Sequence, residues 1–157
     1  MTYFLSDAHI GSRAIGDLQA RMTHQIRVIN LLRHMSRDAE TIYILGDLFD
    51  FWFEYFRRDP SKEEYRPLLH TLKRLTESGI SVHFFIGNHD LWTFGELARL
   101  TGMIIHTRPA YIDLYGYRLY MAHGDGLVSS RYLATLPKEH QKKISHFMLL
   151  RSVFHHP

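Results

Sequence analysis

Four short apolar runs along this chain end in the same way, each breaking off into polar residues. Tyr3-Phe4-Leu5 opens into Ser6-Asp7-Ala8-His9, and Ile42-Tyr43-Ile44-Leu45 opens into Gly46-Asp47-Leu48-Phe49-Asp50. Val82-His83-Phe84-Phe85-Ile86 leads to Gly87-Asn88-His89-Asp90, and Leu119-Tyr120-Met121-Ala122 leads to His123-Gly124-Asp125-Gly126. Short runs rich in β-branched and aromatic residues read as buried strands. Each therefore delivers polar side chains to its C-terminal end, where open α/β sheets gather their ligands.

Helical spacing fills the gaps. Asp17 is placed to cap a helix whose apolar positions Leu18, Met22, Ile26, Ile29 and Leu32 recur every three or four residues, with Arg21, Arg27 and Arg33 outside the stripe. This helix ends near residues 36–40, and Thr41 begins the next strand, giving a right-handed βαβ unit with parallel strands. A second helix is expected over 61–77, with Ser61 and Glu64 in capping-box spacing and Leu68, Leu69, Leu72 and Leu75 on its buried face. Pro67 delays or bends its start, and Ser78-Gly79 stops it. A short helix near 95–100 ends at Gly102. Residues 103–106 and 110–114 read as short strands, and Tyr115-Gly116 makes a tight turn into 117–122. Beyond Ser129 the pattern is helical to Leu136, is broken by Pro137, and resumes as an amphipathic segment over 138–154 with Lys138, Lys142 and Lys143 at one end.

The size of the chain, 157 residues with 45% hydrophobic content, suits one packed domain. The absence of cysteine changes the picture more, because it leaves only oxygen and imidazole to hold a metal. No run is long enough to span a bilayer and no targeting signal opens the chain, so a cytoplasmic location is expected. The net charge of +3 is ordinary for solubility and equally compatible with an anionic partner. Among the 12 histidines, His24, His34, His70, His140 and His146 fall in helical segments, where a surface or half-buried role is the default. Only those at strand ends carry a chemical reading. The loop after Asp47 holds Phe49, Phe51, Trp52, Phe53, Tyr55 and Phe56, which either wall a substrate pocket or pack beneath a long loop. Arg57, Arg58, Lys62 and Arg66 make a solvated face or an anion-binding rim.

Asp7, His9, Asp47, Asn88 and His123 form a ligand set for two divalent cations. Asp7 and His9 lie two residues apart, Asp47 can touch two cations with its two oxygens, Asn88 supplies a carbonyl oxygen and His123 an imidazole nitrogen. Such pairs of ions suit phosphoester hydrolysis. His89, next to Asn88 on an extended segment, is expected to face substrate and donate a proton to the leaving oxygen. Asp50 is expected to hold His89 in its working tautomer, the alternative being that it caps the loop.

Asp7/His9, Gly46-Asp47 with Asp50, Gly87-Asn88-His89-Asp90 and His123-Gly124-Asp125 resemble the calcineurin-like metallophosphoesterases along essentially the whole chain. The resemblance implies an α/β fold, a β-sandwich flanked by helices in four layers (α/β/β/α), and a dinuclear centre of the manganese type. The family's closing Gly-His-x-His has no counterpart after Asp125, which implies either a chain belonging to a longer protein, the favoured reading, or a weakened second site. Leu5 to Gly11, Leu45 to Trp52 and Ala122 to Gly126 look like the UDP-2,3-diacylglucosamine diphosphatases of lipid A synthesis, although some of those carry arginine where this chain has His89. That resemblance implies a core over 1–128 and the start of a helical cap over 129–157. It also implies a lipid-linked nucleotide substrate met at the inner-membrane surface, with Asn88, His89 and Asp125 lining it. A nuclease or cyclic-nucleotide phosphodiesterase on the same centre, and a non-catalytic scaffold of this fold, are the alternatives; nucleic acid is the less favoured partner.

Overall fold

The computed structural model describes residues 1–54 and 60–124. The chain divides into two compact units, Met1–His123 and Gly124–Pro157, and every element described here belongs to the first. The expected boundary at residues 128 and 129, the helical cap over 129–157, Asp125, and Tyr55 to Arg58 of the aromatic loop lie outside the described residues.

Four parallel strands, β1 (Thr2–Leu5), β2 (Thr41–Leu45), β3 (Ser81–Phe85) and β4 (Ile104–His106), form a sheet in sequence order. Helices α1 (Leu18–Met35), α2 (Arg66–Glu77) and α3 (Glu96–Thr101) make the three crossovers. Right-handed crossovers that always step in one direction put every helix on the same face of the sheet. Strand alternation serves this arrangement. Ile42, Ile44, Val82 and Phe84 point into a core with Ile29, Leu32, Leu68, Leu72 and Leu97, while Tyr43 and Phe85 point the other way. There they meet Met121 and the inner residues of an antiparallel hairpin, β5 (Ala110–Leu114) and β6 (Tyr117–Met121). Tyr115 and Gly116 both have positive φ at the tip, the two-residue turn that matches the twist of paired strands. Helices, parallel sheet and second sheet are thus three of the expected layers, and the α/β class holds.

Two helix expectations need correction. In α1, Leu18, Met22 and Ile26 are exposed, and the buried side is Gln25, Val28, Ile29, Leu32 and Met35. The first half of the helix turns Arg21 and Gln25 toward Glu64, through an ion pair at 3.4 Å and a Gln25 Nε2 hydrogen bond to the Glu64 carbonyl at 2.9 Å. Polar contacts, which periodicity does not register, set its rotation. Asp17 caps it as expected, accepting from Ala20 N at 2.9 Å. The second helix begins at Arg66 rather than residue 61, because Pro60–Tyr65 coil as a 3₁₀ turn. Pro67 then sits in the first α-helical turn, where no backbone donor is needed.

Candidate metal centre

The loops that follow β1, β2 and β3 are laced together by their backbones. Asp7 N donates to Gly46 O at 3.2 Å, His9 N to Asp47 O at 2.9 Å, Ile10 N to Leu48 O at 3.0 Å, and Asp50 N to Ile10 O at 2.9 Å. On the other side Trp52 N donates to His89 O and Glu54 N to Trp92 O. This lacing holds Asp7, His9 and Asp47 at φ values of 53°, 44° and 51°. Residues other than glycine rarely adopt that left-handed region, although Asp and His are among those that tolerate it, at about 1–3 kcal/mol each. Three such residues within one site mark a backbone bent to aim its side chains.

Glycines make the approach possible. A Cβ on Gly46, which has φ 87°, would collide with the His123 ring, and one on Gly87 would collide with Asp47 Oδ1. The two strand ends therefore sit directly against the ligand-bearing side chains. The buried Asp47 is held from below: its Oδ1 accepts His89 N at 3.0 Å. Its Oδ2 faces three imidazoles, at 3.3 Å from His123 Nε2, 3.7 Å from His9 Nε2 and 4.0 Å from His89 Nε2. Burial works to raise the Asp47 carboxyl, but the hydrogen bonds and positive charge offered by His123 and His89 outweigh it and hold the group below its ordinary value.

The donor chemistry fits divalent cations. His123 Nδ1 donates to Leu45 O at 2.7 Å, so Nε2 is left to carry a proton toward Asp47 or, in the neutral ring, a lone pair that a cation can take. That nitrogen faces Asn88 Oδ1 and Asp47 Oδ2, each 3.3 Å away. Three electron-rich atoms so placed repel one another unless a cation or a proton stands among them. Two groups of potential ligands emerge, His9 with Asp47 and His89, and Asp7 with Asp47 and His123, each with ligand atoms within 4.8 Å of one another. Asp47 is common to both, as a bridging carboxylate is.

Asp7, His9, Asp47, Asp50, Asn88, His89 and His123 meet here, with two differences from the expected arrangement. His89, expected to face substrate, has its ring edge-on to His9 with centroids 4.8 Å apart and also falls in a group of potential metal ligands. Its Nδ1 donates to the main-chain carbonyl of Asp50 at 2.6 Å, while the Asp50 carboxylate lies 3.8 Å from it and only 3.4 Å from His9 Nδ1. Asp50 thus fixes the His89 tautomer through its carbonyl, with the carboxylate turned toward His9.

Three supporting residues escaped sequence reasoning. Asp90 is fully buried and accepts from Gly87 N at 2.6 Å and Leu48 N at 3.1 Å, tying the second loop to the third. Burial, together with the nearby Asp47 charge, pushes its carboxyl up to about 7 against the pull of those donors. His24 of α1 reaches the Ala8 carbonyl, between Asp7 and His9, at 2.7 Å. Glu54 is buried beside Trp52, and an acid inside an aromatic run was its one signal in the sequence.

Comparison with known proteins agrees with this geometry. The sequence profile of the calcineurin-like phosphoesterases matches residues 2–156. A UDP-2,3-diacylglucosamine hydrolase from Porphyromonas gingivalis is 37% identical over 123 residues, covering 78% of this chain and 45% of that protein. Proteins of the same name from Aeromonas salmonicida and Vibrio cholerae are 33% and 34% identical, covering 98% and 89% of this chain and 55% and 54% of theirs. The chain spans about half the length of these curated relatives. Among solved structures, a protein of unknown function from Aquifex aeolicus shares the fold with a TM-score of 0.52 at 23% identity, covering 95% of this chain and 72% of that one.

Proposed function

The chain belongs to the calcineurin-like phosphoesterases, and from that premise we propose that it hydrolyses the pyrophosphate bond of UDP-2,3-diacylglucosamine, giving UMP and 2,3-diacylglucosamine 1-phosphate for lipid A synthesis. The observation that carries the reading is the convergence of Asp47 Oδ2 on imidazoles from three other loops, within two ligand groups that share this one carboxylate. The names of the relatives supply the substrate.

In this reading Asp7, His9, Asp47, Asn88 and His123 hold two divalent ions, with manganese our assignment. When bound, the ions supply Lewis-acid charge and an acidified water to the reaction. The protein's own residues do the rest. Asn88 and His89 orient the phosphates, and Asp125, which lies outside the described residues, joins them in lining the substrate. Water adds its oxygen to the α-phosphorus, the bond from that phosphorus to the bridging oxygen breaks, and UMP keeps the new oxygen. His89, its Nδ1 proton committed to the Asp50 carbonyl, is oriented to deliver a proton from Nε2 to the departing lipid phosphate. Among the described residues no helix is long and apolar enough to cross a membrane. By analogy with the lipid-linked substrate in the relatives' names, we place the enzyme in the cytoplasm, meeting its lipid at the inner-membrane surface. Residues 1–128 are assigned to the core and 129–157 to the start of a cap.

The test supplies Mn²⁺ and detergent-dispersed UDP-2,3-diacylglucosamine and follows UMP. Release of UMP with the lipid 1-phosphate is expected. A chain that binds the ions and hydrolyses a chromogenic phosphodiester but leaves this nucleotide intact would remove the substrate assignment.

A further inference from the structure

We infer that Glu54 is a positioning residue that clamps the His89-bearing loop against the loop carrying Asp50, a role that rests on the reading of His89 as the proton donor. The Glu54 carboxylate is buried and, among the described residues, pairs with no cation; N–H donors satisfy it. Oε2 accepts from Phe94 N and from Glu96 N at 2.9 Å, and Oε1 accepts from Leu97 N at 2.8 Å and from Trp52 Nε1 at 3.2 Å. Burial works to raise this carboxyl, and the four donors more than reverse it, so it stays ionised and accepting.

Two of the donors, Glu96 N and Leu97 N, open helix α3, whose own capping residue, Gly95, has no side chain to serve them, and Phe94 N immediately precedes that cap. Glu54 does so from the neighbouring loop, more than forty residues away in sequence. Between Glu54 and the metal centre the two loops run as a parallel ribbon: Trp52 N donates to His89 O at 3.2 Å, Glu54 N donates to Trp92 O at 3.1 Å, and Phe53 pairs with Trp92. The site end of the ribbon is the His89 Nδ1 bond to Asp50 O. Clamping one end of so short a ribbon sets the register at the other, and hence the direction in which the His89 ring points.

Glu54→Gln preserves shape but leaves one acceptor oxygen where two served and sets an NH₂ against two of the N–H donors, which loosens the clamp. Three readouts are compared with the parent chain: hydrogen–deuterium exchange, the NMR signal of the His89 Nδ1 proton, and Mn²⁺ stoichiometry. Expected are at least tenfold faster exchange confined to the amides of Trp52, Glu54 and residues 89–97, broadening of the His89 Nδ1 proton and unchanged Mn²⁺ stoichiometry. On a chromogenic phosphodiester, kcat should fall about tenfold with KM little changed, and Glu54→Asp, which keeps an acceptor, should recover part of both losses. Faster exchange with an unaltered His89 signal and kcat would overturn the positioning role, and unchanged exchange would overturn the clamp. Because the exchange and NMR arms need no substrate, a parent chain inactive on the lipid nucleotide would discredit the functional reading and leave the clamp decided by these two arms.

Discussion

Two groups of histidines in this molecule show how the same side chain is put to different uses. At the strand ends, His123 spends its Nδ1 proton on the carbonyl of Leu45 and His89 spends its own on the carbonyl of Asp50, and both turn Nε2 toward the Asp47 carboxylate. Within the sheet, His83 and His106 face each other, Nδ1 to Nε2 at 2.9 Å, and Ser81 Oγ takes the remaining His83 nitrogen at 3.0 Å. Their rings stack into a ladder, Tyr43 on His83 and Phe85 on His106 at centroid distances of 4.7 and 4.2 Å. Burial lowers the pKa of both, and the positive charge of a protonated His106 would lower His83 further. One group is built to work against the Asp47 carboxylate, the other to remain neutral in a stack. What separates them is the partner of the second nitrogen: carboxylate and amide oxygens in the first case, another imidazole or a hydroxyl in the second.

The most damaging way to break this contrast is Asp47→Ala, which removes the carboxylate common to both ligand groups. Loss of both ions and of turnover is expected, read by metal analysis of the purified chain. His89→Ala comes next and should slow turnover by roughly 10²–10⁴-fold, the usual size of a general acid's contribution. Its metal content should match the parent's, and a loss of metal would make His89 a ligand, as its place beside His9 and Asp47 allows. His123→Ala, which removes a ligand from one group only, should leave one ion bound and weaken the other, measured by calorimetric Mn²⁺ titration.

The smallest effect lies in the sheet. His83 and His106 have folded pKa values below the ordinary 6.5, so on acidification the unfolded chain takes up protons before the folded one does. Their contribution is constant above pH 7 and turns against folding as pH falls through 6.5 toward the folded values. Thermal midpoints should drop on going from pH 7 to pH 5, by less in a His83→Phe/His106→Phe double variant, while its Mn²⁺ stoichiometry stays that of the parent.

Strand ends were legible because a buried run followed by Gly-Asp or Gly-Asn leaves a sharp boundary between apolar and polar positions, and the stop at Gly46 and at Gly87 coincides with a physical need for close approach. The rotation of α1 was not legible, since it follows from Arg21 and Gln25 reaching Glu64, a contact across some forty residues. Asp50 was found but its working atom was mistaken: a side-chain pattern cannot reveal that a backbone carbonyl is the acceptor. Asp90 and Glu54 were missed for a related reason. Both spend their carboxylates mainly on backbone N–H groups, those of Leu48, Glu96 and Leu97 being some forty residues away, and every residue but proline has such a group, so the sequence leaves no complementary partner to notice.

The central claim is that one carboxylate, Asp47, joins two cation sites. Counting Mn²⁺ by electron paramagnetic resonance during titration of the chain tests it most directly. Two ions per chain with a spin-coupled signal, both abolished together in Asp47→Ala, is the predicted result; two uncoupled ions, or ions that survive the loss of Asp47, would contradict it.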